Sequence, residues 1–273
     1  MTKTMLSVMM ALTVMPWSNS FGQSPMTDAS NIQIQIALPN FAVFGTESVN
    51  INDGLNENTR CIKGNVGTEG TDSGDLYLNK CLVFGNIFVT TASVPSLGSH
   101  GTYAGRLIIG QLSGVGATMN SISGYLGGLS PDLTLPSLIN QNVTFTNSST
   151  TGGTYVINIV GSAGTTNPYT WTFVAAAPGD KFVVNIGGDL TVAQLKIAFS
   201  GDIDPNNVVF NLTGSSCSAE VNKSDSIWFG VILGPQCELR VHNPFPFIGR
   251  LLGKTVTVDS GAVITRYYSD LPK

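Results

Sequence analysis

The last third of the chain is a series of short apolar segments separated by turn residues. The segments carry almost no charge, and Gly, Asn, Pro and Asp lie between them. Short strands that recur at this spacing are typical of an all-β sandwich, barrel or solenoid. The segments are 208–212, 227–233, 238–241, 247–252, 255–258 and 262–264.

The middle of the chain alternates apolar residues with Thr or Asn. Successive strand residues point to opposite faces, so this pattern predicts half-buried strands with one polar face. Similar segments occur nearer the start, around a region at 50–75 that is rich in turn-forming Asn, Gly, Thr and Asp. The predicted strands are 32–36, 41–44, 76–78, 81–91, 143–146, 155–160, 169–173 and 182–186.

Two segments are helix candidates. Apolar residues between 117 and 129 recur near helical spacing, although Gly124, Gly127 and Gly128 lower the helix propensity. Residues 192–199 are a weaker candidate, because the two halves of this segment could equally be strands.

The start of the chain has the features of a secretory signal. A lysine at position 3 precedes an apolar run at 5–17, and small residues up to Gly22 suit cleavage before Gln23. The run is shorter than the roughly 20 residues that span a bilayer, which disfavours a membrane anchor. No composition break marks an interdomain linker. The predicted divisions are a signal peptide (1–22), a flexible leader (23–31) and one β-solenoid domain (32–268), with no membrane span after signal removal.

The composition indicates a folded chain with an uncharged polar surface. Only 11% of residues are charged, 42% are hydrophobic and the mean hydropathy is +0.20, which excludes disorder for the bulk of the chain. Ser, Thr, Asn and Gly must then cover the surface, as suits secreted walls, matrices and adhesive coats. The 13 basic and 17 acidic residues form no basic cluster, which argues against nucleic acid or anionic lipid as a partner.

Four cysteines form two sequence-local pairs, Cys61 with Cys81 and Cys217 with Cys237, each separated by 20 positions. Disulfides are the expected state in a secreted protein, although four cysteines permit three connectivities. If one solenoid coil takes about 20 residues, each pair stacks one rung apart, at about 4.8 Å, within disulfide reach. We therefore expect these two pairings. An ordinary hairpin disulfide, or a coincidence of spacing, is the alternative.

Several apolar and glycine-containing segments resemble a known family. Residues 40–45 and 62–67 are similar to the start of the choice-of-anchor A domain of secreted and surface proteins. Residues 228–235, 247–252 and 260–264 are similar to the end of that domain, and equally to the related ice-binding-like adhesive domain.

The resemblance implies a β-helix flanked by one α-helix, in the place of residues 117–129. It implies extracellular adhesive or structural roles, with some ice-binding members, and it supplies no catalytic residues. The chain departs from the pattern by its four cysteines and by showing no anchoring module after the domain, which argues against cell-wall attachment.

The sequence offers little for metal or nucleophilic chemistry. His100 and His242 stand outside any zinc-type spacing, and secreted cysteines are expected to be oxidised. No Gly-x-Ser-x-Gly segment is present, and we interpret Ser113 and Ser123 as turn residues. We therefore predict no catalytic, metal or cofactor site.

A β-helical polysaccharide lyase or hydrolase is the enzymatic alternative, and it would need convergent carboxylates. Asp202 and Asp204 would lie on one side of a strand, and Asp72 and Asp75 lie in a glycine-rich loop. Solvated turn carboxylates are the favoured interpretation, because Pro205 and the surrounding Asn and Gly residues indicate turns.

Ice binding would need an evenly spaced array of hydroxyl and methyl groups on one face. Three Thr pairs lie on one side of their strands, although Thr suits any exposed strand side and no regular repeat places the pairs on a common face. The pairs are Thr144 and Thr146, Thr170 and Thr172, and Thr255 and Thr257. Four glycosylation sequons are a further surface feature, at Asn142, Asn147, Asn211 and Asn222.

These patterns predict a secreted, non-catalytic β-solenoid that acts as an adhesive, cell-surface or extracellular-matrix structural protein. Its partner would be an extracellular surface, a glycan or a matrix protein. An ice-binding protein of the same architecture is the first alternative, and a carbohydrate-active β-helix enzyme is the second. Aligned outward Thr columns would favour the first alternative, and a cleft with several carboxylates would favour the second.

Overall fold

The computed structural model describes residues 41–52, 60–222, 227–242, 246–259 and 263–265. The predicted signal peptide at 1–22, the leader at 23–31 and the strand at 32–36 lie outside these residues, and they stay predictions. So do the outer limits of the solenoid domain.

Short parallel strands make up most of the described chain, together with helix α1 (Val115–Gly127). The strands before α1 are β1 (Phe41–Asn52), β2 (Arg60–Lys63), β3 (Asn65–Thr68), β4 (Leu76–Asn79), β5 (Leu82–Phe84), β6 (Ile87–Val89), β7 (Pro95–Leu97), β8 (Thr102–Tyr103) and β9 (Leu107–Ile109). The strands after α1 are β10 (Leu133–Leu135), β11 (Leu138–Ile139), β12 (Val143–Asn147), β13 (Thr154–Ile159), β14 (Ala163–Thr165), β15 (Tyr169–Ala175), β16 (Lys181–Ile186), β17 (Leu190–Val192), β18 (Leu195–Ser200), β19 (Val208–Leu212), β20 (Ser218–Asn222), β21 (Trp228–His242), β22 (Pro246–Asp259) and β23 (Val263–Thr265).

The coils of the chain build three stacks of strands around one apolar core. The first stack is called the helix face. It contains the whole of β10, β13, β16, β19, β3, β6 and β9, together with the middle parts of β21 and β22 and the first half of β1. The second stack is called the polar face. It contains the whole of β11, β14, β17, β20, β4 and β7, together with the C-terminal parts of β21, β22 and β1. The third stack consists of the separate sheet β12–β15–β18 and a ladder made by the starts of β21 and β22 with β23, β2, β5 and β8. The prediction of a β-solenoid is confirmed.

The stacking order differs from the order of the chain. The coils wind from β1 to β9, α1 leads back to β10 in the other half of the solenoid, and the coils then wind from β10 to β23. The two halves meet where β1 pairs with β22 on one side and with β3 on the other. Strand β23 pairs with both β22 and β2 at the same level. The first and last described strands therefore lie in the interior of the stack, where both are paired on two sides.

Aromatic side chains fill the core on successive rungs. The ring centroid of Phe173 lies 5.2 Å from that of Phe145 and 6.0 Å from that of Phe210. Full burial of each such side chain is worth roughly 1.5–3 kcal/mol. Where the chain turns from the third stack to the helix face, Gly230 and Gly249 lie opposite each other with φ of 121° and 156°. A Cβ on Gly249 would clash with the Gly230 carbonyl, so this corner requires glycine.

Helix α1 covers the outer side of the helix face. It begins after Gly114, whose φ of 89° lies in the left-handed region. The helix predicted at 117–129 is confirmed, shifted by two residues, whereas 192–199 forms strand and no helix. Within the described ranges, no helix has the length and apolarity needed to cross a bilayer. The contact between helix and sheet is largely apolar and includes Met119, Ile122, Leu126, Val156, Val183, Val209, Val231 and Leu252.

A buried polar network joins α1 to the helix face. Asn211 donates through Nδ2 to Asn185 Oδ1 at 2.7 Å and to the Ser123 carbonyl at 3.0 Å. Ser123 Oγ donates back to Asn211 Oδ1 at 2.7 Å, and Asn185 Nδ2 donates to the Leu126 carbonyl at 2.9 Å. The interpretation of Ser123 as a turn residue is wrong, because Ser123 lies within α1 and its hydroxyl binds the sheet. Ser113 does lie in a turn.

Two pairs of predicted segments are each one long strand. Segment 227–233, from its second residue, and segment 238–241 belong to β21, and segments 247–252 and 255–258 belong to β22. Both strands pass around corners of the solenoid, and their mutual register shifts at one of them. The turn residues at these corners resemble strand ends in the sequence, which is why the prediction divided the strands there.

Candidate functional site

The sheet β12–β15–β18 presents outward rows of threonines and small side chains, which we call the threonine face. Thr144 pairs with Thr172 on the next rung, and Thr172 pairs with Ala198 on the rung after that. Both pairings run through the sheet without a register shift. The outward residues that define the face are Asn142, Thr144, Thr146, Thr170, Thr172, Val174, Lys196, Ala198 and Ser200.

The alternation of each strand produces this array. Phe145, Trp171 and Phe173 point into the core and are almost fully buried, so the residues between them must point outward. The aromatic layer beneath fixes the strands, and the Thr170 backbone N–H donates to Asn142 Oδ1 at 2.8 Å along one edge. Outward side chains then repeat at about 4.8 Å between rungs and about 6.7 Å along a strand.

The threonine face is almost free of charge. Lys196 is its one charged side chain, and it lies at a corner of the array, in register with Thr170. Thr144 and Thr146 are exposed, whereas Thr170 and Thr172 are half-buried between neighbouring rungs. The surface thus combines hydroxyl and methyl groups with few fixed charges.

The third predicted Thr pair lies elsewhere. Thr255 and Thr257 point outward from β22 on the polar face, where Thr257 pairs with Arg240 on one side and with Asn50 on the other. The structure therefore brings two of the three pairs together, on a common face that no regular repeat in the sequence indicated, and separates the third.

The polar face carries two contacts between oppositely charged residue types, in the part of the chain that the structure describes. His242 Nε2 lies 2.7 Å from Glu220 Oε1, and Arg240 donates to Asp259 Oδ2 at 3.0 Å. These pairs involve β20, β21 and β22 and are partly exposed to solvent, so each contributes only about 0–1 kcal/mol. They mark this part of the polar face as hydrated and charged, in contrast to the threonine face.

Two of the carboxylates considered for an enzymatic site accept hydrogen bonds from the backbone of turns. The Asp204 side chain accepts from the Asn206 backbone N–H at 2.8 Å and caps a short 3₁₀ turn. The Asp75 side chain accepts from the Asp72 backbone N–H, also at 2.8 Å. Asp202 lies in a bend, so placing Asp202 and Asp204 on one strand is wrong.

Histidines and other metal-binding side chains are dispersed. His242 Nε2 contacts Glu220 Oε1, and His100 Nδ1 lies 2.8 Å from Ser99 Oγ in a turn. In the part of the chain that the structure describes, no group of three or more His, Cys, Asp or Glu side chains could hold a metal ion.

The second cysteine pair is confirmed. Cys217 and Cys237 form a disulfide across neighbouring coils, with a Cα–Cα distance of 4.8 Å. Cys81 is also disulfide-bonded, but the Cys61 side chain lies outside the described residues, so the Cys61–Cys81 pairing stays a prediction. The coil that separates Cys217 from Cys237 has the length that the prediction assumed.

The four sequons differ in accessibility. Asn211 is fully buried under α1 and Asn147 is nearly so, which makes a glycan on either incompatible with this fold. Asn222 is half-buried, and Asn142 is exposed at the edge of the threonine face. Glycosylation at these two positions stays a prediction.

The fold is similar to solved structures of ice-binding proteins. LeIBP from an Arctic yeast is 16% identical with a TM-score of 0.58, and the match covers 90% of this chain and 98% of that one. An ice-binding protein from the Antarctic ascomycete Antarctomyces psychrotrophicus is 16% identical with a TM-score of 0.55, covering 84% and 95%. One from an Antarctic biological consortium is 19% identical with a TM-score of 0.56, covering 83% and 87%. At these identities the likeness shows a shared fold alone.

Sequence comparison assigns the family. No curated protein matches the chain. The profile of the ice-binding-like adhesive domain matches residues 26–265, which is most of the sequence. The chain therefore belongs to the ice-binding-like adhesive domain family.

Proposed function

We propose that this chain is a non-catalytic extracellular protein that binds ice through the threonine face. The observation that carries the proposal is the register of β12 with β15, which places Thr144 beside Thr172 and Thr146 beside Val174. The Cys217–Cys237 disulfide supports an extracellular location, because disulfides persist mainly in oxidising compartments. The similar solved structures are those of ice-binding proteins, which supports the same proposal.

Ice presents a repeating lattice of water oxygens, so a repeating protein surface can match it over many contacts at once. Thr is suited to such a surface because it is stiff at χ1 and carries both a methyl and a hydroxyl group. The methyl groups order nearby water without binding it tightly, and the hydroxyl groups can donate and accept hydrogen bonds. Fixed charges would hold their own hydration shells instead, and the threonine face has one.

The test is thermal hysteresis of the folded, disulfide-intact protein and of a Thr172→Tyr variant. Thr172 lies at the centre of the threonine face, so a tyrosine there would hold ice away from the neighbouring rows. We expect the parent protein to show hysteresis and the variant to lose most of it. Because Thr172 points outward, the free energy of unfolding should change by no more than about 0.5 kcal/mol.

Thr255→Tyr is the matched control, since Thr255 is an outward, half-buried threonine on a strand of the polar face. It should leave hysteresis unchanged. Absence of hysteresis in the parent protein, or equal losses in both variants, would reject ice binding through the threonine face.

Adhesion to an extracellular surface is a second candidate function. The family description favours it, because it names an adhesive domain as well as a likeness to ice-binding proteins. The polar face favours it too, since its mixture of charged and neutral polar groups offers a surface distinct from the threonine face. Retention of the protein on solid extracellular polymers would test this role separately from thermal hysteresis.

A further inference from the structure

One half of the polar face is rich in side-chain amides and is bordered by an ion-paired carboxylate, that of Asp259. We call this region the asparagine patch and define it by Asn50, Asn52, Tyr77, Asn79, Ser96 and Thr257. These residues point outward from β22, β1, β4 and β7, four successive rungs. Of the residues in the two pairs, Glu220, Arg240 and His242 lie on β20 and β21, beyond β22. Asp259 lies on β22 beside Asn52, at the edge of the patch, where Arg240 pairs with it.

Tyr77 lies in a row of polar residues that runs along the solenoid axis. It pairs with Asn50 on one rung and with Ser96 on the next, and Asn50 pairs with Thr257. A Cβ built on Gly98 would lie 2.6 Å from the Tyr77 hydroxyl oxygen, so the absence of a side chain at Gly98 makes room for that hydroxyl.

Two amides beside this row hold each other in place. Asn79 Nδ2 donates to Asn52 Oδ1 at 2.8 Å across neighbouring rungs, at an exposed position. The bond fixes the orientation of both amides before any ligand arrives, which reduces the entropy lost on binding. Each amide group carries donors and an acceptor in one plane, the arrangement that pairs with vicinal hydroxyl groups.

We propose that the asparagine patch binds a neutral, extended, β-1,4-linked polysaccharide that lies along the solenoid axis. The rungs repeat at about 4.8 Å, close to the length that one pyranose adds to such a chain, so successive sugars lie over successive rungs. The Tyr77 ring provides an apolar surface for the C–H groups of a sugar and a hydroxyl at its edge. A neutral patch complements a neutral polyol, because neither partner must desolvate an unpaired charge.

This inference gives the adhesive role a ligand class, and it uses a surface that shares no residue with the threonine face. Its test is retention of the folded protein on insoluble cellulose and chitin, with heparin beads and collagen-coated beads as comparison surfaces. We expect retention on at least one of the two neutral polymers. Tyr77→Ala should reduce it about tenfold, and Thr172→Tyr on the threonine face should leave it unchanged.

Asn50→Lys provides a second variant, because Asn50 is exposed and its replacement cannot remove core packing. It places a charge in the middle of the patch and should also reduce retention about tenfold, with circular dichroism confirming that each variant is folded. Retention on neither neutral polymer overturns the inference, as does retention that both variants leave intact. Binding to heparin alone would implicate the charged part of the polar face, and binding to collagen alone would leave adhesion standing without a polysaccharide ligand.

Discussion

Lys196 is the residue at which the threonine face departs from an uncharged array. Thr170, its partner on the neighbouring rung, and Ala198, two positions further along the same strand, both continue the array. Lys196 is exposed, so its ammonium group keeps a hydration shell that an ice surface would have to displace. Its long aliphatic stem also lets the charge move away from the sheet, which limits the disruption.

Replacement of Lys196 by threonine would complete the row that begins at Asn142 and Thr170. We expect Lys196→Thr to raise thermal hysteresis at equal protein concentration, because a tightly hydrated charge is removed and a hydroxyl with a methyl group is added. The free energy of unfolding should change by no more than about 0.5 kcal/mol, since the side chain is exposed. Lys254→Thr, on a charged residue distant from the threonine face, is the control. An equal hysteresis for Lys196→Thr would show that this corner takes no part in ice contact, and a lower one would show that the lysine itself favours it.

At the scale of elements, strand positions could be predicted from the sequence, but the faces they share could not. The alternation in 143–146 and 169–173 identifies two strands and their outward Thr residues. Whether those strands are neighbours depends on coil length, which varies along the chain. Thr154 pairs with Lys181, 27 positions on, whereas Glu220 pairs with Arg240, 20 positions on. Turns of different length carry no strong sequence signal, so no fixed repeat aligns the rows.

Helix α1 could likewise be predicted from the sequence, whereas its polar contacts could not. Its apolar spacing predicted the element, but the partners of its polar side chains are distant in sequence. Ser123 and Asn211 are 88 positions apart, and both look unremarkable in a chain rich in Ser and Asn. Their hydrogen bonds fix the helix in one position on the sheet, which apolar contacts alone would specify less sharply.

Asn211→Ala tests this polar contact between helix and sheet. The change removes three hydrogen bonds. It leaves the Ser123 hydroxyl and the side-chain oxygen Oδ1 of Asn185 buried without the partner that Asn211 provided. We expect the free energy of unfolding to fall by about 3 kcal/mol, as measured by denaturant titration. Asn158→Ala is the matched control, because Asn158 occupies the equivalent position one rung away from Asn185 and is only half-buried. A loss equal to that of the control would show that the network contributes little.

At the scale of the whole molecule, the described residues form a continuous solenoid whose first and last described strands, β1 and β23, meet in its interior. Thr265 pairs with Lys63, and Phe41 pairs with Asn65, which lies two positions after Lys63. The pairing sites of Thr265 and Phe41 are therefore about 7 Å apart along the coil. Arg250 Nε donates to the Phe41 carbonyl at 2.7 Å, across a sequence separation of 209 residues. Assembly of this junction must close a very long loop.

A circular permutant would convert this junction into a local contact. Joining Thr265 to Phe41 through a short Gly-Ser linker and opening the chain between Ser130 and Pro131 yields strands that stack in the order of the sequence, with α1 last. Because folding slows as contacting residues become more distant in sequence, we expect the permutant to refold faster than the parent in stopped-flow experiments. Its circular dichroism spectrum and threonine-face activity should match those of the parent, since every strand keeps its neighbours. Slower refolding would show that closure of the β1–β22 junction is not the limiting step, and failure to fold would show that the chain order itself guides assembly.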